Sequence, residues 1–142
     1  MKVEMGKVLK RWELQNGLTL EAEDFSYNYY GEYWNIKVMI RGKIEVRPEY
    51  LNGLLAEEPY GEEALRRLGG EVEYRREITQ VGVPEERLGE TIGRLLGYFE
   101  ENALPYIDHP SFPERFVQKR WREVAKEIRT EKMREELQGN GP

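Results

Sequence analysis

The residues best suited to chemistry lie in one four-residue stretch. His109 is the single histidine of the chain, it follows Asp108, and Ser111 comes two positions later. A serine, a histidine and a carboxylate are the components of a nucleophilic triad. Because such close neighbours do not normally face one another as a triad requires, we interpret Ser111 as a helix cap, paired with Glu114 in a capping box, and His109 as a loop residue. The sequence thus predicts no catalytic residue and favours a protein that is not an enzyme.

Carboxylates could supply a second chemistry, metal binding. They occur as the adjacent pairs Glu57-Glu58, Glu62-Glu63 and Glu100-Glu101. Adjacent helical residues point about 100° apart, so we expect these pairs to be solvated. The chain has no cysteine, which excludes disulfides, thiolate nucleophiles and sulfur-ligated metals. It also contains neither of the common glycine-rich phosphate loops. We therefore expect no metal and no cofactor.

An aromatic run suggests binding instead. Six of the ten residues from Phe25 to Trp34 are aromatic. They could form cross-strand pairs with Trp34 in the core. Alternatively, the tyrosines could contact a partner or stack on a ligand, because tyrosine is enriched at contact surfaces. Both interpretations stay open, and the candidate interaction residues are Tyr27, Tyr29, Tyr30 and Tyr33.

Two further candidates lie on predicted helices. Gly89, Gly93 and Gly97 recur every four residues, and glycine is costly inside a helix. We expect another backbone, with the last helix as the first candidate, to cross close over this ridge. In the last helix the apolar stripe ends at Ile128, and its mixed charges predict a solvated face with i, i+4 pairs. Met133 and Leu137 lie on a different face, so they belong either to a frayed tail or to an arm that docks on a second chain.

Alternating apolar residues predict strands over residues 8–14, 18–23, 34–46 and, less regularly, 71–81. Gly42 interrupts the third strand and suggests a bend or bulge. Helical spacing is found at 50–55 and 62–68, from Pro84 to Phe99, and again from about residue 112. We predict an α+β fold in which an antiparallel sheet of about four strands carries two longer C-terminal helices on one face. Residues 1–138 form one domain in this prediction, and 139–142 a disordered tail.

Charge and composition limit the partners. The chain has 142 residues and a formal net charge of -5, and residues 49–102 alone carry -7. An acidic middle segment would repel phosphate, so we do not expect nucleic acid as a partner. The charged start lacks an apolar signal-peptide region, and no apolar run is long enough for a membrane span. We expect a cytoplasmic protein that contacts a protein partner or a second copy of itself, with no membrane contact.

The N-terminal third resembles a family of small uncharacterised deltaproteobacterial proteins. The resemblance lies in Leu14-Gln15-Asn16-Gly17-Leu18-Thr19-Leu20, in Asp24-Phe25-Ser26 and in Tyr30-Gly31-Glu32-Tyr33-Trp34. The family tends to have a basic residue after the serine, where this chain has Tyr27. These are strand and turn residues, so the resemblance implies no catalytic residue and no function.

A second resemblance concerns nucleotide binding. Asp24, Ser26 and Gly31 resemble the Asp-x-Ser-x-x-Gly strand of PilZ-type cyclic-dinucleotide receptors, although the glycine comes two residues late and no Arg-x-x-x-Arg precedes it.

Our leading functional hypothesis is a non-enzymatic interaction or assembly module, with a homodimer as one form. The alternative is a small-ligand or nucleotide binder that uses the aromatic hairpin.

Overall fold

The fold is built on an antiparallel sheet of five strands. In this computed structural model β2 and β3 pair with successive segments of β4, β1 pairs with β2, and β5 pairs with β4. The predicted α+β class and antiparallel sheet are confirmed. The sheet has one strand more than expected, because the aromatic run itself forms β3. The strands are β1 Lys7–Glu13, β2 Thr19–Asp24, β3 Tyr27–Tyr30, β4 Tyr33–Glu45 and β5 Glu71–Pro84.

Five α-helices and two short 3-10 turns complete the described chain. The helix predicted from Pro84 begins at Leu88, after a 3-10 turn at Glu85–Arg87, and the last helix begins at Phe112 as predicted. The break predicted at 104–110 contains a short helix. The helices are α1 Leu54–Glu57, α2 Gly61–Leu68, α3 Leu88–Asn102, α4 Leu104–Ile107 and α5 Phe112–Gly139, and the other 3-10 turn is Pro48–Leu51.

The structure describes residues 6–139, which divide into two compact units. The first unit contains the residues up to Lys43 together with Glu73–Phe112. The second contains Ile44–Val72 together with the residues from Pro113 onward. The single domain of residues 1–138 stays a prediction. Of the predicted disordered tail, Gly139 is the last residue of α5, and 140–142 lie outside the described residues.

β4 has one apolar and one polar face along most of its length. Ile36, Val38, Ile40 and Ile44 are at most 1% exposed, whereas Lys37, Arg41 and Lys43 point to the opposite face, as the two-residue period requires. Hereafter we call these the buried face and the outer face of the sheet.

Gly42 lies within strand β4, and the predicted bend or bulge at this position stays a prediction. A Cβ atom here would overlap Cδ2 of Leu20 and would lie 2.9 Å from the carbonyl oxygen of Thr19. The close approach of the neighbouring strand therefore requires glycine here, and the φ of Gly42 is not positive.

α3 packs on the buried face within the first unit. Ile92, Leu96 and Phe99 are buried, and the Phe99 ring lies 5.3 Å from the ring of Trp12 on β1. The Glu100 carboxylate accepts hydrogen bonds from Lys10 Nζ at 2.6 Å and from Trp12 Nε1 at 3.1 Å. These bonds lower the pKa of Glu100 below its usual range, and the bond from Lys10 makes the larger contribution. One carboxylate thus ties α3 to the first strand.

The second unit has its own apolar residues. The stripe that the sequence predicts on α5, namely Val117, Trp121, Val124 and Ile128, is buried to 94% or more. α2 adds Ala64 and Leu68, which are also buried. The apolar stripe of α5 ends at Ile128, as its sequence predicts.

We expect Glu100→Gln to lower stability at pH 7 and to remove part of the acid sensitivity. A carboxyl whose pKa is lowered in the folded state stabilises the protein above its unfolded-state pKa, and this stabilisation is lost as the pH falls through the folded-state pKa. The melting temperatures of the wild type and the variant should therefore differ most at neutral pH and converge on acidification. A difference that stays constant between pH 7 and pH 3 would contradict this role.

Candidate functional site

The tyrosines of the aromatic run are exposed and not buried in the core. Tyr27, Tyr29, Tyr30 and Tyr33 are 52%, 68%, 76% and 49% exposed, respectively. Pairing of Tyr27 with Asn35 and of Tyr30 with Tyr33 places three of them on the outer face. Tyr29 lies at the irregularity between Asn28 and Tyr30. The four exposed side chains belong to one β3–β4 hairpin, and we call them together the tyrosine surface.

Hydrogen bonds hold the backbone beneath the tyrosine surface. Asn28 Nδ2 donates to the carbonyl of Gly31 at 2.8 Å across the turn, where Gly31 has φ 55°. The amide of Glu85 donates to the carbonyl of Glu32 at 2.7 Å. The Glu85 carboxylate accepts from Trp34 Nε1 at 3.3 Å. The hairpin is therefore anchored to the segment that precedes α3.

The summed exposed area of the four tyrosines is comparable with the area of a contact site. A tyrosine offers about 150–250 Å² of area, so four that are about 60% exposed present roughly 500 Å². This is near the upper end of the largest apolar patches on monomeric proteins, about 300–600 Å². It is also more than half of the approximately 800 Å² that each partner buries in a standard protein interface.

Asp24 and Ser26, which resemble residues of a nucleotide-binding strand, accept hydrogen bonds from main-chain amides. Asp24 Oδ1 accepts the amide of Ser26 at 2.8 Å, and Ser26 Oγ accepts the amide of Lys37 at 3.0 Å. Together these bonds shape the junction where β2 ends and β3 begins. Both side chains are explained by local structure without a ligand.

His109 and Ser111 do face each other, which the sequence reasoning did not expect. Ser111 Oγ lies 2.8 Å from Nδ1 of His109, and the Ser111 amide donates to the same nitrogen at 3.1 Å. The third component is engaged elsewhere, since Asp108 Oδ1 accepts the amide of Gln15 at 2.7 Å. Asn16 Nδ2 donates to the carbonyls of Ile107 and His109. The cluster therefore fastens the α4–α5 loop to the β1–β2 turn.

The paired glutamates contact cations. Glu58 pairs with Arg129 at 2.7 Å, Glu63 pairs with Lys132 at 3.7 Å, and Glu100 pairs with Lys10. Across residues 6–139 there is no group of three or more histidine, aspartate or glutamate side chains that could hold a metal ion.

A groove of about 460 Å³ lies on the outer face. Its cations face carboxylates across the strands, with Arg41 2.8 Å from Glu23 and Arg11 3.9 Å from Glu21. Such cross-strand pairs keep a sheet face solvated. The groove contains three acidic and three basic side chains and is lined by Arg11, Gly17, Thr19, Glu21, Glu23, Arg41, Gly42, Lys43 and Glu73.

Within the described residues of the first unit, nothing lies close over the glycine ridge of α3. The predicted crossing by the last helix, which belongs to the second unit, stays a prediction. A Cβ atom placed on Gly89, Gly93 or Gly97 would meet no atom within 4 Å. Gly89 and Gly93 are exposed. The apolar residues Ile92, Leu96 and Phe99 occupy the other side of the helix, so burial of α3 leaves the glycines in open space.

The last turns of α5 are held by ion pairs and not by apolar contacts. Arg67 donates to both carboxylate oxygens of Glu131, at 3.0 and 3.1 Å, and these bonds lower the pKa of Glu131. Met133 and Leu137, the two candidates for a docking arm, are 63% and 72% exposed. The i, i+4 pairs predicted along α5 are largely replaced by pairs with α2, although Arg120 and Glu123 do pair at i, i+3.

The strands at the sheet edges carry features that oppose edge-to-edge pairing. In β1, Lys10 lies on the buried face opposite Ala22, and an irregularity precedes it. In β5, Arg76 stacks on the buried Phe99 ring at 5.7 Å, and Gly82 has φ 68°. β3 is only four residues long. Inward-pointing charges, bulges and short strands are established ways of blocking an exposed edge.

Comparison with known proteins identifies no relative. No family model, no curated protein and no solved structure matches the chain. The resemblance of the N-terminal third to a deltaproteobacterial family therefore stays a prediction. Among the helices of residues 6–139, none has the length and apolar character needed to cross a membrane.

Two glycine-to-alanine changes should have opposite effects. Gly42→Ala forces a methyl group against Leu20 and Thr19 and should cost roughly 1–3 kcal/mol of stability. Gly93→Ala lies in open space on a helix and should stabilise by about 0.5–1 kcal/mol. Chemical denaturation of both variants provides the measurement. A Gly93→Ala variant less stable than the wild type would indicate that another backbone packs closely on the ridge.

Truncation after Arg129 should lower the melting temperature slightly without changing the mass in solution. It removes the ion pairs of Glu131 and Lys132 but none of the buried apolar stripe, and exposed ion pairs contribute little. The matched control is the full chain with Met133→Ser and Leu137→Ser, which keeps the ion pairs and should melt like the wild type. If truncation turned a dimer into a monomer, the segment would be an exchanged arm. If it unfolded the protein, the assignment of Ile128 as the end of the apolar contact would be wrong.

Proposed function

We propose that this protein is a non-enzymatic interaction module that contacts a protein partner through the tyrosine surface. The supporting observation is that four tyrosines, each 49–76% exposed, lie on one hairpin. Hydrogen bonds across its turn and to Glu85 hold the backbone of this hairpin in place. Tyrosine provides a large amphipathic contact at a low cost in conformational entropy, and anchoring the backbone in advance lowers the cost further. A second copy of the chain is one candidate partner.

The strand edges carry features that oppose main-chain pairing, and this favours contact through side chains. Main-chain pairing with a partner would need an open, regular edge, and β1, β3 and β5 each depart from that requirement. Contact through the tyrosine surface needs no new strand pairing, because about half or more of each side chain is already exposed.

The alternative, a small-ligand or nucleotide binder, has weaker support. A binding pocket would enclose the ligand on several sides. The tyrosines instead form an exposed surface, and the groove on the outer face is lined by other residues. In that groove the arginines already face carboxylates, so an anionic ligand would have to displace existing ion pairs.

Replacing both Tyr29 and Tyr30 by Ser should leave folding nearly unchanged and weaken association. Exposed positions have small effects on stability, within about 0.5 kcal/mol, whereas truncation of an aromatic anchor at an interface costs about 2 kcal/mol or more. Circular dichroism and the melting temperature test folding. Light scattering over a range of concentrations tests self-association, and pull-down tests a heterologous partner.

Tyr98→Ser provides the matched control, because Tyr98 is 67% exposed on α3, away from the hairpin. It should change neither folding nor association. A large loss of stability in the variant with Tyr29→Ser and Tyr30→Ser would show that these tyrosines stabilise the fold. Equal association of all three proteins would exclude the tyrosine surface as the contact site.

A further inference from the structure

One face of α5 in the second unit carries a row of basic side chains. Arg115, Lys119, Arg122 and Lys126 follow one another at spacings of four, three and four residues and are all exposed. At about 100° per residue they stay within roughly 40° of one line along the helix. Successive members are separated by about 4.5–6 Å of helix rise. We call these four residues the basic stripe.

The acidic residues of the same helix do not neutralise the basic stripe. Glu123 is bound by Arg120 at 2.6 Å, Glu127 lies 3.5 Å from Arg67, and Glu114 accepts from Gln118. Glu123, the nearest of the three to the stripe, lies about 80° from Arg115 and about 40° from Lys119 around the helix, and its partner Arg120 lies on the side away from the stripe. Within residues 6–139 the four stripe cations have no carboxylate at ion-pair distance. Positive charge is thus concentrated on one helix face of a chain whose net charge is -5.

The same face continues into exposed apolar side chains. Arg129, the next stripe position, is neutralised by both oxygens of Glu58 at 2.7 and 2.9 Å. Met133 follows at the angle of Arg115, and Leu137 at that of Lys119. These two are 63% and 72% exposed. The face therefore presents about three turns of positive charge, one neutralised position and a small apolar end.

We propose that this face of α5 binds an acidic helical segment of a partner protein. Carboxylates on a second helix at i, i+3 and i+4 spacing have the periodicity of the stripe, as in the flanking ion pairs of coiled coils. An apolar residue at the end of that segment would cover Met133 and Leu137. Nucleic acid fits less well, since its phosphates offer nothing to the apolar end and the acidic remainder of the chain repels them.

The inference is independent of the tyrosine surface, which lies in the other unit and has a different chemistry. The variant Tyr29→Ser with Tyr30→Ser should therefore bind an acidic helix like the wild type. Failure of either proposal leaves the other standing.

Fluorescence anisotropy with a labelled 21-residue peptide tests the proposal. The probe has three repeats of Glu-Leu-Glu-Glu-Leu-Ala-Glu, and a matched peptide has every Glu replaced by Gln. The full chain should bind the acidic probe and bind the Gln peptide at least about tenfold more weakly. Binding of the acidic probe should also fall steeply with added salt, because exposed charges are screened.

The decisive variant changes all four stripe residues, Arg115→Gln, Lys119→Gln, Arg122→Gln and Lys126→Gln. Loss of four exposed pairs should weaken binding of the acidic probe about tenfold or more. The matched control removes the same charge from scattered exposed positions, with Lys7→Gln, Arg66→Gln, Arg87→Gln and Arg94→Gln, and should bind like the wild type. The melting temperatures of both variants confirm that they are folded.

Three results would overturn the proposal. The first is equal weakening by the stripe variant and the scattered variant, which would mean attraction by net charge alone. The second is binding of a 20-nucleotide oligothymidine more tightly than the acidic peptide, which would assign the stripe to nucleic acid. The third is no measurable binding of the acidic peptide at low salt by the folded wild type.

Discussion

The need to bury one side of β4 and hydrate the other governs the first unit. This thirteen-residue strand pairs with three others, and its even-numbered residues from Ile36 to Ile44 are almost completely buried. Because side chains alternate strictly along a strand, a shift of one residue would expose the whole apolar set. Leu20 of β2 occupies the space of a Gly42 side chain, which adds a steric constraint to the hydrophobic one.

Several side chains that could perform chemistry are used to satisfy the backbone. Asp24 and Ser26 bond main-chain amides at the β2–β3 junction, and Asn16 bonds main-chain carbonyls of the loop before α5. Irregular segments cannot satisfy their own amides and carbonyls, so short polar side chains supply the missing partners. A motif of reactive residue types in such a segment is therefore explained by local structure before a reaction is invoked.

Some charged side chains on the surface of the protein form ion pairs within the chain, and other described surface groups have no such partner. On the outer face of the sheet and along α2, arginines and glutamates pair within the chain. The tyrosine surface and the basic stripe are the contrasting cases, one aromatic and the other cationic. Since the strand edges carry inward charges and irregularities, both proposed contacts are made through side chains and leave the sheet unchanged.

Much of the secondary structure follows from the chain alone. The two-residue period predicts β4 within one residue at each end, and proline and the apolar spacing predict α3 and the start of α5. These features are local, because periodicity reflects which side of one element is buried. The sequence missed β3 as a strand, since four aromatic or polar residues in succession, Tyr27 to Tyr30, have no alternation to detect.

What the sequence left open was the environment of each surface residue. Whether the tyrosines were core or surface, whether the glycine ridge was crossed and which glutamates neutralise α5 all depend on residues distant along the chain. Arg67 and Glu131 are 64 positions apart, yet they bond directly. The sequence by itself therefore determined the elements and their apolar faces, because burial imposes a short-range period. Only the tertiary structure decided which side chains remain uncovered and unpaired, because that depends on which distant groups the fold brings within a few ångströms.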